Sequence, residues 1–177
     1  DIAFYLSNQS LSKCSPLYRA SQRPSYRNKM GVIDRAWKKH ATNHKNLSKW
    51  WQDHYKTIPT ADVFYPFGGP DISNAILLFP KSNKFTLFGL ERVGKIPDIN
   101  SYVRDSLRQK GNTKLYNVQR SVRSILRLNF FITMQMQNDF NPYSQVSMVE
   151  VFLFFLGKHK ASIHSVRNIG LDTEGKV

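Results

Sequence analysis

Four residues stand where a cofactor site would need them. Gly68 and Gly69 follow a short run of strand formers, Val63 to Tyr65, and Asp71 opens an apolar helical stretch that reaches Phe79. Glu91 closes a second apolar run, Phe85 to Leu90. Paired glycines let the backbone turn sharply or come close to a ligand. An acid at the end of the second strand accepts hydrogen bonds from ribose hydroxyls. Gly69 and Glu91 are 22 residues apart, a spacing that suits a dinucleotide or S-adenosylmethionine site. Two features oppose it: Pro70 removes an N–H that would serve the ligand, and an anionic Asp71 at a helix start repels a pyrophosphate. The plainer reading gives the glycines to the turn and Asp71 to the helix cap.

Other residues carry weaker chemistry. Arg120, Arg123 and Arg127 make a row along one helix face and could grip successive anionic groups, although a solvated face explains them as well. His40 and His44 stand four apart, the spacing of two metal ligands on a helix, but no third ligand is near in sequence, so no metal site is assigned. Ser12, Cys14 and Ser15 have no base beside them to activate a nucleophile. Glu150 sits in an otherwise apolar stretch and calls for a partner, for which an arginine of the preceding helix is the expected choice.

The elements that would position these residues are read from periodicity and punctuation. From Val32 to Tyr55 apolar and aromatic residues recur every three or four positions, which predicts an amphipathic helix, or two joined near Thr42–Asn46. Asp98 to Gly111 and residues 114–128 predict two more helices, the second with Leu115, Val118, Val122, Ile125 and Leu126 inward. Val146 to Leu156 is apolar all round and predicts a buried helix ending at Gly157. Residues 129–136 read as a strand or an irregular core segment, and 163–169 as a strand. The fold class expected is therefore α/β: a mixed sheet including residues 62–66, 85–91 and 163–169, helices on at least one face, and a Rossmann-like β-α-β unit at residues 62–91. The two strands of that unit should be parallel, because a helix intervenes.

A chain of 177 residues fits one domain, with a loop-rich segment at 1–31 packing on an α/β domain at 32–177. Charge is lopsided, +14 overall, with 11 basic and 3 acidic side chains in residues 1–60 but 4 and 3 in 61–97. Such an excess suits an anionic macromolecule or surface, nucleic acid included, or simply a soluble basic surface. Trp37, Trp50 and Trp51 lie among lysines, and aromatic-basic mixing of that kind can stack bases. A single Cys14 rules out an intrachain disulfide framework, and no apolar run is long enough to span a membrane. The start at Asp1 suggests an upstream piece, and the end at Val177 suggests truncation ahead of a returning strand.

Two resemblances bear on these residues. Residues 62–91 resemble the Rossmann units of class I methyltransferases, but Gly68-Gly69-Pro70 replaces the usual G-x-G loop. FYPFGGPD, LFGLERVGKIPD, SVRSILRLNFFIT and the terminal LDTEGKV are similar to segments of a family of uncharacterised bacterial proteins that are generally exported. That similarity covers most of residues 60–177, and Ser15 to Tyr18 (SPLY) resembles the family too. It implies a secreted or periplasmic location and lends no chemistry. The expectation that follows is an exported binding or structural protein with an anionic partner and no chemistry of its own. The alternatives are a Rossmann-like enzyme binding S-adenosylmethionine or a nucleotide, and a nucleic-acid-binding module.

Overall fold

The computed structural model describes residues 1–55, 60, 62–65, 71–87, 93–108, 113–127, 146–167, 169–170 and 172–174. Helices dominate them: α1 (Ile2–Ser7), α2 (Tyr18–Ser21), α3 (Pro24–His54), α4 (Ile72–Leu78), α5 (Ile99–Leu107), α6 (Thr113–Arg127) and α7 (Met148–Lys158). Strands β1 (Val63–Tyr65) and β2 (Phe85–Leu87) pair in parallel, with Val63 opposite Phe85 and Tyr65 opposite Leu87. The strand–helix–strand unit is thus present and parallel. It is not part of a larger sheet, because β1 and β2 are the only strands among the described residues.

This overturns the expected α/β fold with its mixed sheet and Rossmann-like architecture. The apolar run from Phe85 suggests an interior strand, yet Phe85, Thr86 and Leu87 are only half-buried and Phe64 is exposed. An apolar run of that length fits a buried strand and a piece of helical core equally well. The expected strand at 163–169 does not form among the described residues either: residues 161–167 adopt no regular structure. The stretch 129–136 lies outside the described residues.

α3 organises the packing. Pro24 occupies its first turn, where a missing N–H costs nothing, and the helix runs 31 residues, about 46 Å at 1.5 Å per residue. It starts eight residues before Val32 and does not break near Thr42–Asn46. Tyr26, Met30, Ile33 and His44 form its buried face. Residues 1–31 therefore contain α1, α2 and the first turns of α3, and they supply core: Tyr5, Leu6, Leu17, Tyr26 and Met30 are fully buried. Tyr5 stacks on Tyr26 with ring centroids 4.7 Å apart, and the Tyr26 hydroxyl donates to the Tyr5 carbonyl at 2.6 Å. Burial pushes both phenols well above their usual range.

α7 lies against α1, and α3 packs on both α4 and α6. The α1–α7 approach depends on Gly157. A Cβ there would meet Ser7 Oγ at 2.3 Å and the Ala3 carbonyl oxygen at 2.6 Å. Gly157 is inside α7 and does not end it, contrary to the sequence reading. Lys158, the last residue of α7, pairs with Asp34 of α3 at 2.6 Å, and Asn8 donates to the other oxygen of Asp34 at 2.7 Å. One carboxylate thus ties three helices.

Glu150 makes no ion pair among the described residues, which corrects the expected arginine partner. Its carboxylate accepts from the Ser147 backbone N–H at 2.8 Å while Ser147 Oγ accepts from the Glu150 N–H, a complete capping box. The buried Tyr102 hydroxyl donates to its other oxygen. Burial, then the adjacent Glu150 charge, raises the Tyr102 phenol far above its ordinary value.

Candidate functional site

The two faces of α3 offer different chemistry. At 3.6 residues per turn, Arg27, Arg35, Lys38, Lys39, Lys45 and Lys49 fall within about 120° of the helix circumference. That sector is opposite the buried face, and all six residues are exposed. None of the six makes a salt bridge among the described residues. Asp53, near the C-terminal end, is the one acid in the sector, since Asp34 is taken by Lys158. Trp50 follows the lysines at 49 % exposure and stacks on His54, with centroids 4.7 Å apart. The ribbon from Arg35 to Lys49 is about 21 Å long, a row of cations ending at an exposed aromatic platform.

Three histidines meet at the inner face. His40 and His44 of α3 have ring centroids 3.9 Å apart. His159, just beyond α7, meets the edge of Trp37 at 5.8 Å, and His44 meets the same indole at 6.1 Å. Burial lowers the basicity of all three. His44 falls furthest, to about 4, first through desolvation and then through repulsion by His40 and His159; Asn74 favours its charged form weakly in return. The trio is neutral near pH 7. Sequence spacing finds the pair but not His159, whose partner is far away in the chain.

Ser73 of α4 lies with Oγ 2.9 Å from His159 Nε2. That is the distance of a nucleophile and its base. Ser73 is only 2 % exposed, so no substrate carbon reaches the hydroxyl, and the bond serves to fasten α7 to α4. Among the described residues no group of three or more His, Cys, Asp or Glu is arranged to hold a metal ion.

Beside this cluster a cleft of about 290 Å³ opens between α3 and α4. α3 contributes Ser48, Trp51 and Gln52, α4 contributes Ile76 and Leu77, and Pro80 and His159 complete the lining. Trp51 is held by Tyr55, stacked at 4.1 Å, and by Phe79, edge-on at 5.4 Å. Two nitrogens on the inner face of α3, Trp51 Nε1 and His44 Nε2, are buried without a hydrogen-bond partner among the described residues. An unpaired buried polar group costs about 1–3 kcal/mol.

Of the residues read as a cofactor site, only Asp71 falls among the described residues. Gly68, Gly69 and Glu91 lie outside the described residues. Asp71 occupies the cap position of α4 in helical geometry, makes no side-chain bond to the helix N–H groups, and accepts from Asn74 Nδ2 at 3.2 Å. Arg120 and Arg123 project from the outer face of α6, exposed and half-buried respectively, and Arg127 is the last residue of that helix. Comparison with family models finds no match, and searches of curated proteins and of solved structures return none either.

Proposed function

We propose that this chain is a binding protein, without chemistry of its own, that docks on an anionic macromolecule through the outer face of α3. One observation carries the reading: six exposed cations share one sector of a single rigid helix, and no carboxylate among the described residues neutralises them. Keeping so many like charges in a row is unfavourable in isolation, and an anionic partner relieves the repulsion while releasing its own counterions. The opposite face of α3 is fixed in the core by Tyr26, Met30 and Ile33, so the row is held in place. Arg120, exposed on α6, and the half-buried Arg123 add further positive charge to the chain. The exported setting implied by the resemblance of residues 60–177 belongs to the proposal and adds no chemistry to it.

The test is a charge-neutralised variant, Lys38→Gln, Lys39→Gln, Lys45→Gln and Lys49→Gln together. All four side chains are exposed, so the fold should survive, as unchanged circular dichroism would show. Heparin and oligonucleotide binding should fall by at least about tenfold, on the order of 1.4 kcal/mol. Undiminished binding to both would remove α3 as the docking element.

A further inference from the structure

Resting on that polyanion reading, we propose that the partner is single-stranded nucleic acid and that one of its bases enters the cleft between α3 and α4, against Trp51. The cleft and the basic ribbon are contiguous. On the α3 wheel, Ser48 and Gln52 line the cleft on the flank that also carries Lys45 and Lys49, with Lys45 and Ser48 three apart and Lys49 and Gln52 three apart. A phosphate held by Lys45 and Lys49 therefore stands at the rim of the cleft. A ring attached to it faces the opening.

The chemistry of the cleft suits a base. About 290 Å³ lies just under the roughly 300–1,000 Å³ of drug-sized ligand sites, which is room enough for a planar ring. Ile76, Leu77 and Pro80 give apolar contact, while Ser48, Gln52 and His159 offer hydrogen-bonding edges. Gln52 Nε2 reaches Ser48 Oγ only at 3.5 Å, a bond weak enough to be exchanged for a base edge. Trp51 offers its ring to the base, while its Nε1 is buried and does not reach the opening. No cation among the described residues lines the cleft, so the charge of the ligand sits outside, on the ribbon. The exposed Trp50, stacked on His54 next to Lys49, provides a second platform for the neighbouring base.

Two features favour a polymer over a mononucleotide and a single strand over a duplex. A mononucleotide needs only Lys45 and Lys49, leaving Arg35, Lys38 and Lys39 unused. A duplex keeps its bases stacked inside, where a cleft of this kind cannot receive them.

The decisive experiment uses the wild-type chain. Fluorescence anisotropy compares a labelled oligothymidylate of about 12 nucleotides, within the usual span of single-strand sites, with an abasic oligomer of equal length and charge. The thymidylate should bind about tenfold tighter or more, and tighter than a duplex of the same length. Leu77→Trp, which fills the cleft from a half-buried position, should bring the thymidylate down to the abasic affinity without changing the latter. Equal affinity of the wild type for thymidylate and abasic oligomers overturns the base-in-cleft inference and leaves the polyanion reading standing. Failure to bind either oligomer or heparin overturns both. Tighter binding to vesicles rich in anionic lipid than to the thymidylate overturns the nucleic-acid assignment in favour of a membrane surface.

Discussion

Acidification should weaken this fold through His44, and the sign follows from its environment. The folded His44 holds its proton only below about 4, whereas an unfolded histidine does so below about 6.5. Between those values the unfolded chain binds a proton that the folded chain refuses. The stability contributed by neutral His44 is therefore complete above pH 6.5 and is lost as pH falls toward 4. At 1.36 kcal/mol per pH unit, the full shift sets a ceiling of about 3.4 kcal/mol. Solvent screening at the edge of the cluster reduces this to about 2 kcal/mol. His40 and His159 shift in the same direction and add to it. Urea unfolding between pH 7.5 and 4, followed by circular dichroism, measures the loss, and His44→Phe isolates the contribution of one ring. The variant keeps an aromatic edge toward Trp37, removes the unpartnered Nε2, and should lose about 2 kcal/mol less than the wild type over the same range. Parallel pH dependences for the two proteins, or an imidazole titration by NMR with its midpoint near 6.5, would refute the reasoning.

Three further perturbations follow from the packing. Gly157→Ala places a methyl against Ser7 Oγ and the Ala3 carbonyl; the backbone atom cannot swing aside, so the variant should lose about 2–3 kcal/mol despite the better helix former, seen as a Tm lower by several degrees. Glu150→Ala removes the capping box and leaves the Tyr102 hydroxyl buried and unpaired, a loss of about 2–3 kcal/mol by chemical denaturation, and Tyr102→Phe should restore part of it. Lys158→Met strands Asp34 with only Asn8 as partner and should cost about 1–2 kcal/mol, much of it recovered by adding Asp34→Asn.

What the sequence showed and what it concealed have separate physical causes. α5, α6 and the body of α7 are legible because Asp98 caps the first, apolar positions repeat at helical intervals in the second, and the third is a continuous apolar run of helix length; Asp98 indeed accepts from the Asn100 and Ser101 N–H groups. The start of α3 was concealed by its composition. Arg27, Asn28 and Lys29 read as loop, although Pro24 at the first turn was a usable start signal. Glu150 was readable and misread: Ser147-x-x-Glu150 ahead of an apolar run is a capping box, not a demand for an ion pair.

Other features were beyond local pattern. Gly157 looks like a helix stop until α1 is laid against it, since only the approach of Ser7 and Ala3 shows why a Cβ is forbidden. The β-α-β unit was found with its parallel pairing, but the sheet expected around it was inferred from apolar runs that helices use as well. The cleft needs Ser48 and Trp51 of α3, Ile76 and Leu77 of α4, and His159 beyond α7, which only the tertiary fold assembles. The basic face of α3 was in plain view as spacing. That none of its six cations is paired with a carboxylate among the described residues was not.

The salt dependence of oligonucleotide binding tests the central claim most directly. If four to six cations of the α3 row each neutralise a phosphate, log Kd should rise linearly with log salt with a slope of about 3–4 for a single strand. The charge-neutralised α3 variant should lose most of that slope. A slope near zero, or one that the four lysine substitutions leave unchanged, would contradict the claim that this helix is the docking face for an anionic polymer.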